Sequence, residues 1–397
     1  MPRSGIRGYS PLQEIGKKLV IATDSFKGSL ASREVADAFE EGFRRHYPEC
    51  EVVKVRIADG GEGTVESLVE TLGGEYIDTT VAGPLGRPIT ARYGIINNGG
   101  TAVIEMSAAS GLPLLKEEER NPMLTTTYGT GEMIADAIQR GCRRFLIGIG
   151  GSATNDAGVG MLRALGFRFL DREGNALVGG GDILSKIDKI DNSHAREELS
   201  ECEFVVACDV TNPLYGEQGA AHIYAPQKGA TPEMVEQLDR GLRNFARVVE
   251  EFNGSQIATM EGAGAAGGLG GGITALLNAK LVRGVDMVLS AIHFDRIIEG
   301  CDLVITGEGK IDRQTLMGKA PSGVLAVAAK QQIPTIAIGG SIEWCEELRN
   351  SDFAAIEEIT PQGMPLCEAM QADTAKKNIS YTAERIAEKF KTILLSR

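Results

Sequence analysis

Residues Phe145–Gly160, FLIGIGGSATNDAGVG, set the reading of the fold. Phe145, Leu146, Ile147 and Ile149 form a short apolar run, the pattern of a buried strand. The run breaks at Gly150-Gly151, and helical spacing resumes from about Val159 through Met161, Leu162 and Leu165. A strand that passes through glycines into a helix leaves backbone N–H groups unpaired at the helix start, and these attract anions. Glycine suits positions where φ is positive or where a ligand must come close to the backbone. The same loop carries Ser152, Thr154, Asn155 and Asp156. Hydroxyls and an amide bond phosphate or substrate oxygens, and a carboxylate holds Mg²⁺ or takes a proton. An ordinary strand-to-helix turn is the competing reading of one such loop, but this chain has several.

The pattern repeats at the start of the chain. Leu19–Thr23 reads as a strand, Asp24–Gly28 as a turn, and Arg33–His46 as a helix with Ser32 as its N-cap. Glu51–Ile57 is the next strand, followed by the charged glycine turn Ala58–Thr64 and a helix marked by Val65, Leu68, Val69 and Leu72. Strand, turn and helix in this alternation make a parallel sheet wrapped by helices. The pattern then changes. Tyr76–Val81, Ile89–Ile96 and Thr101–Met106 are short strands joined by Gly, Pro and Asn turns, as in an antiparallel meander. Parallel logic returns near the end, where Leu303–Thr306 leads into the Gly307–Asp312 loop and Ile333–Ile338 into Gly339-Gly340-Ser341. A last amphipathic helix covers about Thr374–Leu395. The fold class that follows is α/β with two domains. One is a parallel-sheet domain built from both chain ends (18–82 plus 293–397), and the other is an inserted mixed α/β domain (83–292). Residues 1–17 lack an apolar stretch and read as a loose leader, not a signal peptide.

Bulk composition narrows the function. The chain has 397 residues, 43% hydrophobic and 24% charged, which suits two soluble cores. Its net charge of −13 argues against a nucleic-acid partner, which calls for a basic footprint. An anionic ligand must then be held by local lysines, N–H groups or a metal. No apolar run reaches the roughly 18–20 residues of a membrane span, so no membrane partner is expected and the cytoplasm is the default location. The seven cysteines form no CxxC pair, and the four histidines show no zinc-ligand spacing. The cysteines therefore read as small buried residues of a reducing compartment.

Parallel α/β sheets bind ligands beyond the carboxyl ends of their strands. Three loops of the end-built domain belong there: Asp24–Gly28, Asp59–Thr64 and Gly307–Asp312. All carry carboxylates and two carry lysine. Acids, lysines and glycine loops without a catalytic Cys or His pattern fit phosphoryl transfer, which needs an anion cradle, Mg²⁺, a cation near the moving group and a base for the hydroxyl. The chain has no Walker A sequence, since none of its Gly-Lys pairs is followed by Ser or Thr. Protein-kinase HRD and DFG motifs are also absent, and Ser152 fails the GxSxG pattern of a hydrolase elbow. Gly262–Gly267 matches GxGxxG, but FNGSQIATME before it makes a poor strand, so a dinucleotide site there is weak.

Taken together, ATDSFKGSL (22–30), ADGGEGT (58–64), MSAASGL (106–112), NPMLTTTYGTGE (121–132), GIGGSATNDAGVG (148–160), ACDVTNP (207–213), PQKGA (226–230), TGEGKID (306–312) and TLMGKAP (315–321) resemble the bacterial glycerate kinases that form 2-phosphoglycerate. The resemblance runs from about Lys18 nearly to the C-terminus. It implies a flavodoxin-like domain beside a mixed α/β domain, with ATP and Mg²⁺ used to phosphorylate D-glycerate, and a monomer or homodimer. The product could be 2- or 3-phosphoglycerate, and the resemblance favours the former. Roles are carried as hypotheses. Lys27 with Ser25 binds an anionic group. Asp59 and Glu62, flanking Gly60 and Gly61, hold metal or substrate hydroxyls. Gly150, Gly151, Ser152, Thr154 and Asn155 hold phosphates or glycerate. Asp156 or Asp209 is a metal ligand or base, and Lys228 contacts phosphate. Glu308 (a further metal candidate), Lys310 and Asp312 close the other side. Two competing readings are a nucleotide-dependent dehydrogenase using Gly262–Gly267 and a binding protein that only holds a small anion.

Overall fold

The computed structural model describes residues 18–58, 60, 61 and 63–395. The expected leader 1–17 lies outside the described residues, as do Asp59 and Glu62. Among the described residues there are thirteen strands: β1 Lys18–Thr23, β2 Glu51–Arg56, β3 Glu75–Ala82, β4 Pro88–Ile96, β5 Thr101–Glu105, β6 Arg144–Gly148, β7 Arg168–Leu170, β8 Lys189–Asp191, β9 Glu203–Ala207, β10 Lys280–Val282, β11 Leu303–Ile311, β12 Thr335–Ile342 and β13 Ala355–Glu358. They form two large sheets and the small antiparallel pair β7–β8.

The first large sheet has the order β13-β12-β11-β1-β2, and every pair in it is parallel. Renumbered along the chain this is 2-1-3-4-5, the flavodoxin-like order. The strand order reverses between β1 and β11, so a crevice opens beyond Thr23 and Gly307. The second sheet has the order β10-β9-β6-β5-β4-β3. Its β3–β4 and β4–β5 pairs are antiparallel, and β5–β6, β6–β9 and β9–β10 are parallel. β3 precedes the expected boundary at 82/83, yet it pairs along its whole length with β4 of this second sheet.

Among the described residues three large apolar cores hold the layers, with a small fourth cluster of Ile311, Ala337 and Leu348. One face of the parallel sheet, through Leu19, Ile21 and Ile305, packs on the helices Ser32–Arg44 and Ala372–Leu395 through Phe39, Phe43, Ile379 and Ala383. Its other face, through Val20, Ala22 and Val304, packs on the helices Thr64–Leu72, Gly284–Ala291 and Ala320–Lys330. That core also contains Ile96, Val103, Leu146 and Ala207 from the second sheet, so these helices form a layer shared by both sheets. The far face of the second sheet carries the largest core, with Met133, Met161, Phe245 and Ile273 of the flanking helices.

Local chemistry differs from expectation at two places. Ser32 is not an N-cap. Ala31 holds that position, while Ser32 Oγ donates to the Thr23 carbonyl at 2.7 Å and ties the helix to the end of β1. The expected Gly307–Asp312 loop is largely strand. β11 runs on to Ile311, because β12 continues beside it as far as the Ile311–Ile342 pair and satisfies its backbone.

Candidate active site

The carboxyl ends of strands from both sheets meet at one cleft. Three adjoining hollows line it. The first, about 540 Å³, is bounded by Gly60, Gly61, the Ile149–Ser152 segment after β6, Ala207–Val210 after β9, and Lys228. The second, about 380 Å³, occupies the switch-point crevice between Asp24–Lys27, Glu308–Lys310, Lys319 and Gly340-Ser341. The third is an open cleft of about 1160 Å³ that joins Ser25–Ala31 to Glu105, Ser107 and Gly150-Gly151. Lys27 lines all three. Ser25 borders the second and third, and Gly61, Gly150 and Gly151 the first and third.

The loop after β6 does not work as a simple helix-start cradle. Gly150 and Gly151 stand well before the short helix Val159–Ala164, and the end of that helix is already occupied by the chain's own carboxylate. Asp156 is fully buried. It accepts from Thr127 N at 2.8 Å, Thr127 Oγ at 2.9 Å, and Gly158 N and Gly160 N at 3.2 Å each. Burial raises its pKa, and these donors oppose the rise. The carboxylate expected as base or metal ligand therefore binds the turn together and borders none of the hollows. Gly150-Gly151 instead lie along the cleft in a turn, Gly151 with left-handed backbone, anchored by Leu112 N to Gly151 O at 2.9 Å and Ala153 N to Ser110 O at 2.9 Å. Thr154 and Asn155 are also fully buried, behind the wall.

Lys228 lies in the turn Pro226–Lys228 and is 2% exposed. Its Nζ donates to Ser152 Oγ and to the Thr154 carbonyl, both at 2.7 Å. Burial lowers its pKa to about 7, with Asp156 offsetting part of the shift. Asp209 also borders this hollow, and its Oδ1 accepts from Gly284 N at 2.9 Å at the start of the helix Gly284–Ala291.

On the opposite side, Glu308 is mostly buried. It accepts from Thr315 Oγ1 at 2.6 Å and pairs with Lys319 at 3.3 Å. Burial raises its pKa, and the nearby charge of Asp24 adds to the rise. Lys310 borders the crevice but pairs with Glu343 at 2.6 Å. Asp312 borders no hollow. Its carboxylate caps the turn Arg313–Met317 through Gln314 N at 2.9 Å and lies 3.6 Å from Lys310. Sequence reasoning passed over Lys319 and Glu105. Lys319 was readable, since it sits in the TLMGKAP stretch just before a helix. Glu105 ends β5, faces the cleft and accepts from Val65 N at 3.0 Å, and nothing in its local pattern marks it. The GxGxxG stretch has no strand before it. Its helix, Ala265–Leu277, opens with three left-handed residues, Ala266, Gly267 and Gly268. The strand-then-helix context of a dinucleotide fingerprint is missing.

A flavodoxin-like sheet whose switch point opens onto a glycine-lined hollow, with lysines at its lip and floor, is an α/β enzyme site for small anions. The chain matches the profile of the Glycerate kinase family over residues 19–391. It is 47% identical over 375 residues to a Bacillus subtilis (strain 168) protein described as glycerate kinase, covering 94% of this chain and 98% of that one. It is 47% identical over 325 residues to the Escherichia coli (strain K12) protein described as glycerate 2-kinase, covering 82% and 85%. A crystal structure described as a glycerate kinase 2 from Salmonella typhimurium LT2 superposes with a TM-score of 0.86 at 43% identity, covering 95% of this chain and 99% of that one. The chain belongs to the glycerate kinase family, and it is a kinase.

Proposed function

We propose that the protein transfers the γ-phosphoryl group of ATP to the 2-hydroxyl of D-glycerate, giving 2-phosphoglycerate. The observation that carries this is Lys27, which borders both the switch-point crevice and the glycine-lined hollow. A phosphoryl group passing from one ligand to the other crosses its ammonium, where charge spread over the transferring oxygens is neutralised. ATP lies with its phosphates at the crevice, and glycerate in the hollow under Gly150-Gly151. Asp209, on the wall of that hollow, takes the hydroxyl proton as it is lost late in the transfer.

Mg²⁺ suits the acids of the crevice. The described residues contain no group of three His, Cys, Asp or Glu side chains able to hold a metal by themselves. Mg²⁺ seldom needs one, because it is bound through one or two carboxylates plus substrate phosphates. Asp24 is close enough to raise the pKa of Glu308, which Lys319 meets at 3.3 Å while also standing 4.0 Å from Asp312. Asp24 and Glu308 would hold the ion, which when bound neutralises phosphate charge. Asp59 and Glu62 lie outside the described residues.

The test is an assay with ATP, Mg²⁺ and D-glycerate, with the product read by phosphorus–proton coupling in NMR. The expected product carries phosphate on carbon 2. Phosphate on carbon 3 would overturn the regiochemistry, and no ATP consumption would overturn the activity.

A further inference from the structure

The floor of the glycine-lined hollow is unusual in charge. Lys228 is an ammonium at 2% exposure, and among the described residues no carboxylate lies within ion-pair distance of it. Burying a lone ammonium costs several kcal/mol unless an anion joins it. An ammonium has three donors. Ser152 Oγ and the Thr154 carbonyl take two, and both partners are uncharged. Behind the wall, Thr154 Oγ1 and both polar atoms of the Asn155 amide are buried without a hydrogen-bond partner, and neither residue borders the hollow. A buried ammonium with one donor unspent at the floor of a hollow is short of one small polar ligand.

We propose, resting on the reading of the protein as a glycerate kinase, that Lys228 seats the carboxylate of glycerate, and that Lys27 alone meets the transferred phosphoryl group. The division follows from depth and charge. Lys228 is on the floor of the first hollow and borders neither of the others, whereas Lys27 borders all three. One remaining N–H on one buried charge matches one carboxylate. A triphosphate brings several charges and a metal, and needs the wider, wetter lip. With its carboxylate on the floor, glycerate turns its hydroxyls toward the lip. The protein thereby selects a hydroxy acid over a neutral polyol, because only an anion compensates the buried ammonium.

The titratable groups around Lys228 are Asp156 on the loop behind it, Arg120 packed on Gly229, and Lys27, Cys208, Asp209 and Tyr224 along the hollow. With its pKa lowered to about 7, Lys228 is charged below that pH and loses its proton above it. Only the charged form binds a carboxylate.

The test uses the full chain and steady-state kinetics. In Lys228→Met the KM for D-glycerate should rise about 100-fold, with the KM for ATP within about threefold of the wild type. Wild type should favour D-glycerate over D-glyceramide, its neutral amide, by a similar factor, and the variant should lose that preference. Wild-type enzyme without glycerate turnover would refute the function itself. Active wild type whose Lys228→Met variant raises only the KM for ATP, or neither KM, would refute the carboxylate seat. Should the variant not fold, the wild-type pH profile decides. The KM for glycerate should be flat below pH 7 and climb about tenfold per unit above it, while the KM for ATP does not follow. A glycerate KM that stays flat to pH 9 would overturn the proposal.

Discussion

Asp156 and Asp209 both stand in a loop beyond a strand, eight residues after β6 and two after β9. Their surroundings separate them. Asp156 spends its carboxylate on five donors from Thr126, Thr127, Gly158 and Gly160, and Asp209 accepts from Gly284 N while bordering the hollow. Sequence alone could place both near the ligand but could not tell them apart, because the deciding partners, Thr127 and Gly284, lie on distant segments. Asp209→Asn keeps an acceptor for Gly284 N and removes the base, so kcat should fall by about 10²–10⁴ with little change in melting temperature. Asp156→Asn should do the reverse in kind, lowering the melting temperature through mismatched buried donors. A normal kcat in Asp209→Asn would remove that residue from proton transfer. Lys27 was legible from the first loop and Lys228 from its PQKGA stretch. That one is at the lip and the other on the floor depends on tertiary packing.

Elements were read most securely where an apolar run met a clear stop, as at β1, β2 and β6. They were read worst where backbone pairing overrode composition. The Gly307–Asp312 stretch looks like a charged turn, yet β12 draws it into strand. The left-handed turn at Ala266–Gly268 is invisible to periodicity, which registers only a glycine-rich helix start. The turn after β2 shows how tightly elements are set against one another. Gly60 has a φ of +85°, and a Cβ there would lie 2.5 Å from Gly284 Cα and 2.7 Å from Ala207 Cβ. Those atoms belong to the helix Gly284–Ala291 and to β9, so Gly60 lets the first sheet's loop touch the second sheet's ligand wall. Gly60→Ala should therefore cost about 1–3 kcal/mol of stability and lower kcat/KM at least tenfold, read by denaturant unfolding and by assay. A variant as stable and active as wild type would show that the close approach is unimportant.

At the scale of the molecule, the parallel sheet from both chain ends was legible because strand and helix alternation stops and then returns. Strand order was not, since periodicity does not tell which strands are neighbours. We propose that the units divide by sheet membership, 18–72 with 284–395 against 75–282. This moves β3 across the boundary expected at 82/83 and the helix Gly284–Ala291 across the one expected at 292/293. The helices Thr64–Leu72, Gly284–Ala291 and Ala320–Lys330 then form a common middle layer, and the cleft lies where strand ends of both sheets face each other. No helix among the described residues is long and apolar enough to cross a membrane.

The most direct measurement is a crystal structure of the full chain with Mg²⁺, a non-hydrolysable ATP analogue and D-glycerate. The account predicts the glycerate carboxylate against Lys228, its 2-hydroxyl turned toward Asp209, and the γ-phosphate beside Lys27 with the metal near Asp24 and Glu308. Glycerate and nucleotide bound at separate places, with Lys27 between neither, would contradict it.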